Sequence, residues 1–183
     1  MIAGPAIALL ELESIARGMI VADAVVKRAK VSLHRAEPVT PGKYLLLFHG
    51  PEAHVEESFQ AGVEAAGSTL LDKLYLPRAA DGLRDALDGG FEPGWEESIG
   101  VVETHTVASA LLACDTALKR AEVRLIQLHL ARGIGGKGYF VLTGALDMVQ
   151  AALEGAAGAV DPSLLQAVEI LEAPHPELGG RVF

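Results

Sequence analysis

The string Gly133-Ile134-Gly135-Gly136-Lys137-Gly138 has the G-x-G-x-x-G spacing with which backbone N–H groups cradle a pyrophosphate. That chemistry needs a helix N-terminus directly after the glycines to receive the negative charge. Here Tyr139-Phe140-Val141-Leu142-Thr143 follows, an apolar run that reads as a strand. A P-loop fits no better, because Ala131 stands where its first glycine belongs and Gly138 replaces the Ser/Thr after the lysine. The six histidines, at positions 34, 49, 54, 105, 129 and 175, lack H-x-x-x-H or H-E-x-x-H spacing, and the single Cys114 cannot form a thiolate cage. Glu11 and Glu103 end two corresponding apolar runs and invite comparison with an acid/base pair. Carboxylates in duplicated surroundings lack the divergent environments such a pair requires, so a structural role at a strand end or subunit boundary is the better reading. No Ser-His-Asp or Cys-His set emerges from the spacing, and the residues predict neither catalytic site, metal nor cofactor.

Bulk properties narrow the field further. The 183 residues include 15 basic and 24 acidic side chains, a net charge of -9, without the clustered Lys/Arg of a nucleic-acid surface. Half the residues are hydrophobic, but charges interrupt every run before the ~18 apolar residues of a membrane span. Met-Ile-Ala-Gly-Pro-Ala-Ile at the start has no basic leader ahead of an apolar core, so no secretory signal is expected. One cysteine suits a reducing, cytoplasmic setting.

The elements that position these residues occur twice. A shift of 92 pairs Glu11 with Glu103, Asp23 with Asp115, Lys27-Arg28-Ala29 with Lys119-Arg120-Ala121, and Leu33 with Leu125; after a two-residue insertion, Gly42-Lys43 pairs with Gly136-Lys137 and Gly50 with Gly144. The breaker-rich stretch Asp88-Gly89-Gly90-Phe91-Glu92-Pro93-Gly94 separates the copies, giving domains at 1–90 and 95–183. Each copy predicts a strand (6–12; 98–104), then a helix capped by Ser14 or Thr106. The core stripe of the first helix is read as Ile15, Met19, Ala22 and Val26, and that of the second as Val107, Leu111, Cys114 and Leu118. Two further strands follow (31–37 and 44–49; 123–130 and 139–143), then a second helix, with Pro51 in its first turn in copy one. A fourth strand closes each unit (70–76; 164–171), and residues 81–87 suggest a short extra helix. The order β-α-β-β-α-β is ferredoxin-like, an α+β fold with helices on one face of an antiparallel sheet.

The segments Ala22-Asp23-Ala24-Val25-Val26-Lys27-Arg28-Ala29 and Ala113-Cys114-Asp115-Thr116-Ala117-Leu118-Lys119-Arg120-Ala121 resemble those of bacterial microcompartment shell domains. The loops Glu37-Pro38-Val39-Thr40-Pro41-Gly42-Lys43 and Arg132-Gly133-Ile134-Gly135-Gly136-Lys137, and the strand end Pro77-Arg78, are similar as well. The whole chain looks like the tandem, trimer-forming class in its unpermuted, single-layer form. That resemblance implies a homotrimer of six domains mimicking a hexamer, packing edge to edge with other shell proteins, hexamers and pentamers, around encapsulated enzymes. It also implies that Thr40, Pro41 and Gly42 with Ile134, Gly135 and Gly136 line a central pore for small metabolites, of three-fold chemistry because the two loops differ. Lys27, Lys119 and Arg78 then occupy tile edges, the second copy having Ala173-Pro174-His175 in place of the Pro-Arg contact. Iron-sulfur variants of the family carry a Cys in the pore loop, which this chain lacks. Glycine loops in a ferredoxin-like fold fit one other reading, a regulator that binds a small metabolite between repeats.

Overall fold

The computed structural model describes residues 4–92 and 94–178, so Pro93 of the linker and both extreme ends of the two expected domains lie outside the described residues. The first copy runs β1 (Ala6–Leu12), α1 (Ile15–Arg28), β2 (Ser32–Val39), β3 (Lys43–Gly50), α2 (Glu52–Ala66), a 3-10 turn (Gly67–Thr69) and β4 (Leu70–Leu76). The helix α3 (Asp81–Leu87) follows, where the sequence suggests one. The second copy repeats the series as β5 (Ser98–Thr104), α4 (Val107–Arg120), β6 (Arg124–Leu130), β7 (Gly138–Gly144), α5 (Leu146–Ala159) and β8 (Leu165–Leu171), with a last 3-10 turn at Pro176–Leu178. Each copy forms a four-stranded antiparallel sheet, ordered β2-β3-β1-β4 and β6-β7-β5-β8. This is the ferredoxin-like order that the element series predicts.

Two compact units result. One comprises residues up to Ala79 together with Ala131–Gly136, and the other comprises Ala80–Leu130 with the chain from Lys137. The loop after β6 therefore groups with the first copy, and α3 with the second.

Both capping expectations hold: Ser14 Oγ accepts the Arg17 N–H and Thr106 Oγ1 that of Ser109, each at 3.2 Å. Pro51 is the N-cap residue of α2, one position before the helix rather than inside its first turn. The core of the first unit joins Ala8, Leu10, Leu12, Leu46 and Phe48 of the sheet to Val21 and Val25 of α1 and Val55 and Phe59 of α2.

The stripe expected for α1 is corrected here. Gly18, Val21 and Val25 face the core, while Ile15, Met19 and Val26 are exposed and Ala22 is half-buried. Apolar residues line two faces of α1, and three- and four-residue spacing cannot say which of them meets the sheet. Fit decides it, because a Cβ on Gly18 would overlap the Tyr44 ring, so only glycine lets α1 lie over that tyrosine. In the second copy the glycine is on the strand instead. Ala110 stands at the helix position, and Gly138 on the strand lies so close that a Cβ there would sit 2.5 Å from Ala110 Cβ. In α4 the stripe read from sequence is largely buried: Val107, Leu111 and Cys114 are inaccessible and Leu118 is half-buried.

Gly18→Ala sets a helix-propensity gain of up to ~1 kcal/mol against an overpacking cost of about 1–3 kcal/mol. We expect a net loss of stability, seen as a lower urea midpoint with an unchanged slope. A midpoint equal to or above that of the parent protein would show that Tyr44 yields space freely.

Candidate functional site

The two loops singled out by sequence emerge from equivalent strand ends. Between β2 and β3 the chain turns at Thr40, Pro41 and Gly42, all exposed, with a cis Thr40–Pro41 bond and the Gly42 N–H donating to Val39 O at 2.8 Å. Gly42 has φ +117, in the region that favours glycine. Between β6 and β7 the turn is longer. Its backbone is left-handed at Ala131, Gly133, Gly135 and Gly136, so the glycine pattern that mimics a dinucleotide fingerprint serves the path of a turn between two strands.

These loops touch. A Cβ on Gly136 would lie 2.9 Å from the Thr40 carbonyl oxygen and 3.1 Å from Pro41 Cδ, so glycine is what allows the longer loop to rest against the shorter one. Arg132 adds a charged bond, donating to Glu37 at 2.7 Å, and Arg35 lies 3.7 Å from the same carboxylate. Of the six expected pore residues, Thr40, Pro41 and Gly136 are thus brought into one cluster. Gly42 and Gly135 are exposed on their turns, and Ile134 is half-buried.

Each loop is anchored at its base by an ion pair that sequence reading missed. Lys43 reaches Glu11 at 3.4 Å, and Lys137 reaches Glu103 at 2.6 Å. Both partners of each pair are visible in the repeat, as Gly-Lys and as a strand-end Glu. Their being opposite charges duplicated together was the available signal, but about thirty positions of chain separate them. The pairs differ in burial: Glu11 is 1% exposed, whereas the Glu103 side chain is 34% exposed. Beside the second loop, Tyr139 stacks on His129 with ring centroids 5.3 Å apart and accepts a hydrogen bond from Gln127 at 2.9 Å.

The expected edge residues sit apart from these loops in the sequence of elements. Lys27 and Lys119 occupy the last turns of α1 and α4, where a cation suits the helix dipole. Each pairs four residues back, with Asp23 and Asp115, at 2.6 Å. Arg78 is exposed just after β4, next to Ala79, whose N–H donates to Pro5 O at 3.0 Å.

Cys114 is fully buried, and burial first, then the Asp115 charge, pushes its thiol far up, so the thiolate is suppressed. Among the described residues no group of three or more metal-ligating side chains occurs, and no helix is long and apolar enough to cross a membrane. The exposed feature of the loop cluster is instead backbone: turns whose glycines leave peptide groups uncovered.

Comparison with known proteins matches these features. A family model described as the BMC domain fits residues 6–79 and again 98–174. The bacterial microcompartment shell protein PduT of Citrobacter freundii is 36% identical over 174 residues, spanning 94% of this chain and 95% of that protein. The crystal structure of a microcompartments protein from Desulfitobacterium hafniense DCB superimposes with a TM-score of 0.84 at 35% identity, over 94% of this chain and 97% of that one. A fused permuted hexameric shell protein from the RMM microcompartment shares the fold alone, with a TM-score of 0.62 at 22% identity over 84% and 83% of the two chains.

The unequal burial of the two ion pairs generates a contrast. Lys43→Met removes the cation from a buried carboxylate and is expected to cost about 3 kcal/mol, whereas Lys137→Met at the half-exposed pair costs less than about 1 kcal/mol. Urea titration of both variants checks this, and equal losses would contradict it.

Proposed function

The chain belongs to the BMC-domain family and is a structural, non-catalytic protein of a bacterial microcompartment shell, where it assembles with other shell proteins; from that premise we propose that three copies close into a pseudo-hexagonal tile with a central pore. The duplicated units, at 1–90 and 95–183, supply six domains per trimer. Closed rotational symmetry then presents repeated edges, as tiling requires. The observation that carries the pore is the loop cluster, in which Gly136 lies against Thr40 and Pro41 while the Glu11 and Glu103 pairs hold both loop bases.

In this reading Thr40, Pro41, Gly42, Ile134, Gly135 and Gly136 converge on the axis three times over. Two loop types alternate there, so the lining has three-fold chemistry. Its polar groups are peptide N–H and C=O rather than titrating side chains, which suits passage of small polar metabolites without binding them tightly. The Arg132–Glu37 pair ties the two loops together, with Arg35 beside the same carboxylate. Lys27 and Lys119 lie at tile edges, where a long stem covers apolar surface and the ammonium offers three donors to a neighbouring tile's backbone. Arg78 marks one edge type, because its counterpart in the second copy is not an arginine. Hexameric and pentameric shell proteins are the neighbours in this scheme, and the enclosed enzymes lie behind it.

Sedimentation and native mass measurement should give a species of three times 19.1 kDa. Electron microscopy should show trimeric discs, flat arrays or tubes. Lys27→Ala and Lys119→Ala are expected to leave the trimer intact and suppress the arrays. A chain that stays monomeric or dimeric would overturn the tile, and saturable metabolite binding with a thermal shift and no arrays would favour the regulator.

A further inference from the structure

The two copies bury equivalent surfaces unequally. Five large apolar side chains on α1 and β2 stand in water: Ile15, Met19, Ile20, Val26 and Leu33, with Met19 and Ile20 both 58% exposed. Their counterparts on α4 and β6 are Val107, Leu111, Leu112, Leu118 and Leu125. Val107 and Leu111 are inaccessible, Leu125 is 6% exposed, and the other two are half-buried.

Part of the cover over the second copy is explicit. The Ala80 N–H donates to Asp115 Oδ1 at 2.7 Å, α3 packs against α4 and β6, and a Cβ on Gly82 would touch Leu118 at 3.6 Å. Leu83, in the first turn of α3, is fully buried. The stretch that follows β4 is thus a docking segment, and the α4–β6 face, centred on Asp115, is its receptor.

Both halves of this arrangement exist a second time. Asp23, Val26 and Leu33 reproduce the receptor on the first copy, but Val26 and Leu33 are 43% and 41% exposed and the Asp23 side chain is 57% exposed, against 6% for Asp115. The docking segment recurs after β8. Strand pairing sets Leu76 opposite Ile7 and Leu171 opposite Ile99, a displacement of 95 that aligns Ala80 with His175, Gly82 with Glu177 and Leu83 with Leu178. A helical turn begins at Pro176 as α3 begins at Asp81.

We propose that the α1–β2 face around Asp23, Val26 and Leu33 receives the segment His175–Leu178 of a second copy of this chain, with Asp23 accepting the His175 N–H as Asp115 accepts that of Ala80. Leu178 takes the place of Leu83. The contact is head-to-tail, since receptor and segment lie on different parts of each molecule, and repeated around an axis it closes a ring. The inference rests on the trimeric tile and specifies its subunit contact.

A double variant tests it. Val26→Cys with Glu177→Cys places thiols at the counterparts of Leu118 and Gly82, and native Cys114 is buried. Mild oxidation of the trimer should give a non-reducing ladder ending in covalent trimer, with either single variant remaining unlinked. Val26→Asp should yield folded monomers by sedimentation and circular dichroism, whereas Met148→Asp, at an exposed residue of α5, should stay trimeric. A trimer whose thiols fail to link between chains, or a Val26→Asp protein that remains trimeric, overturns this contact and leaves the tile standing. A parent protein found only as a monomer removes the tile itself, and this contact with it.

Discussion

The outer face of the first helix is apolar in both copies, and the folded chain covers most of it in only one. Fully burying a side chain such as Met, Ile, Val or Leu is worth about 1.5–3 kcal/mol, so Met19, Ile20, Val26 and Leu33 together outweigh the charge pairs on the surface. Isolated exposed apolar residues are ordinary, but five whose duplicates are all less exposed are not. Under the proposed subunit contact, this uncovered face is what a neighbouring copy buries.

Duplication also explains how the copies diverge without changing fold. Gly18 under Tyr44 and Ala110 over Gly138 are two ways of letting helix and strand approach closely, with the glycine on the helix in one copy and on the strand in the other. Glu11–Lys43 and Glu103–Lys137 keep one electrostatic device at two depths. At the deep site Lys43 is obligatory once Glu11 is buried, because losing the cation leaves the carboxylate's charge in the interior without that ion pair. At the shallow site water shares the load, so that pair orients the loop base more than it stabilises the fold.

Much of this was legible from the residues in order. Strands, caps, the position of α3 and the repeat itself follow from local periodicity and punctuation, which depend on neighbours a few positions apart. What was not legible depends on partners far along the chain. Met19 and Val21 lie on opposite stripes of α1, and nothing local says which stripe meets the sheet; Tyr44, about two dozen residues on, decides it through Gly18. The loop from Ala131 to Gly136 groups with the first unit for the same reason, since the space it fills is bounded by Thr40 and Pro41. Glu11 and Lys43 were each visible as repeated residues, yet pairing them requires knowing that β1 and β3 are neighbours.

Fusion of two units also changes what an axial ring of loops can contain. In a ring of six identical loops every loop meets a copy of itself, so a side chain placed for one contact recurs at all six, and a single charge per loop must face its own kind. Two alternating loops escape that restriction. Here one contributes Glu37 and the other Arg132, giving a bonded pair from charges that would repel if each loop carried only its own sign. One contributes Pro41 and the other Gly136, so a loop with no Cβ at the contact accepts a rigid pyrrolidine on the other. In a ring of identical loops both members of each pair would have to stand on every loop, whereas two loop types let each be set independently. In the proposed tile each loop type can therefore be shaped for its partner alone, where a hexamer must fit both sides of the contact with one sequence.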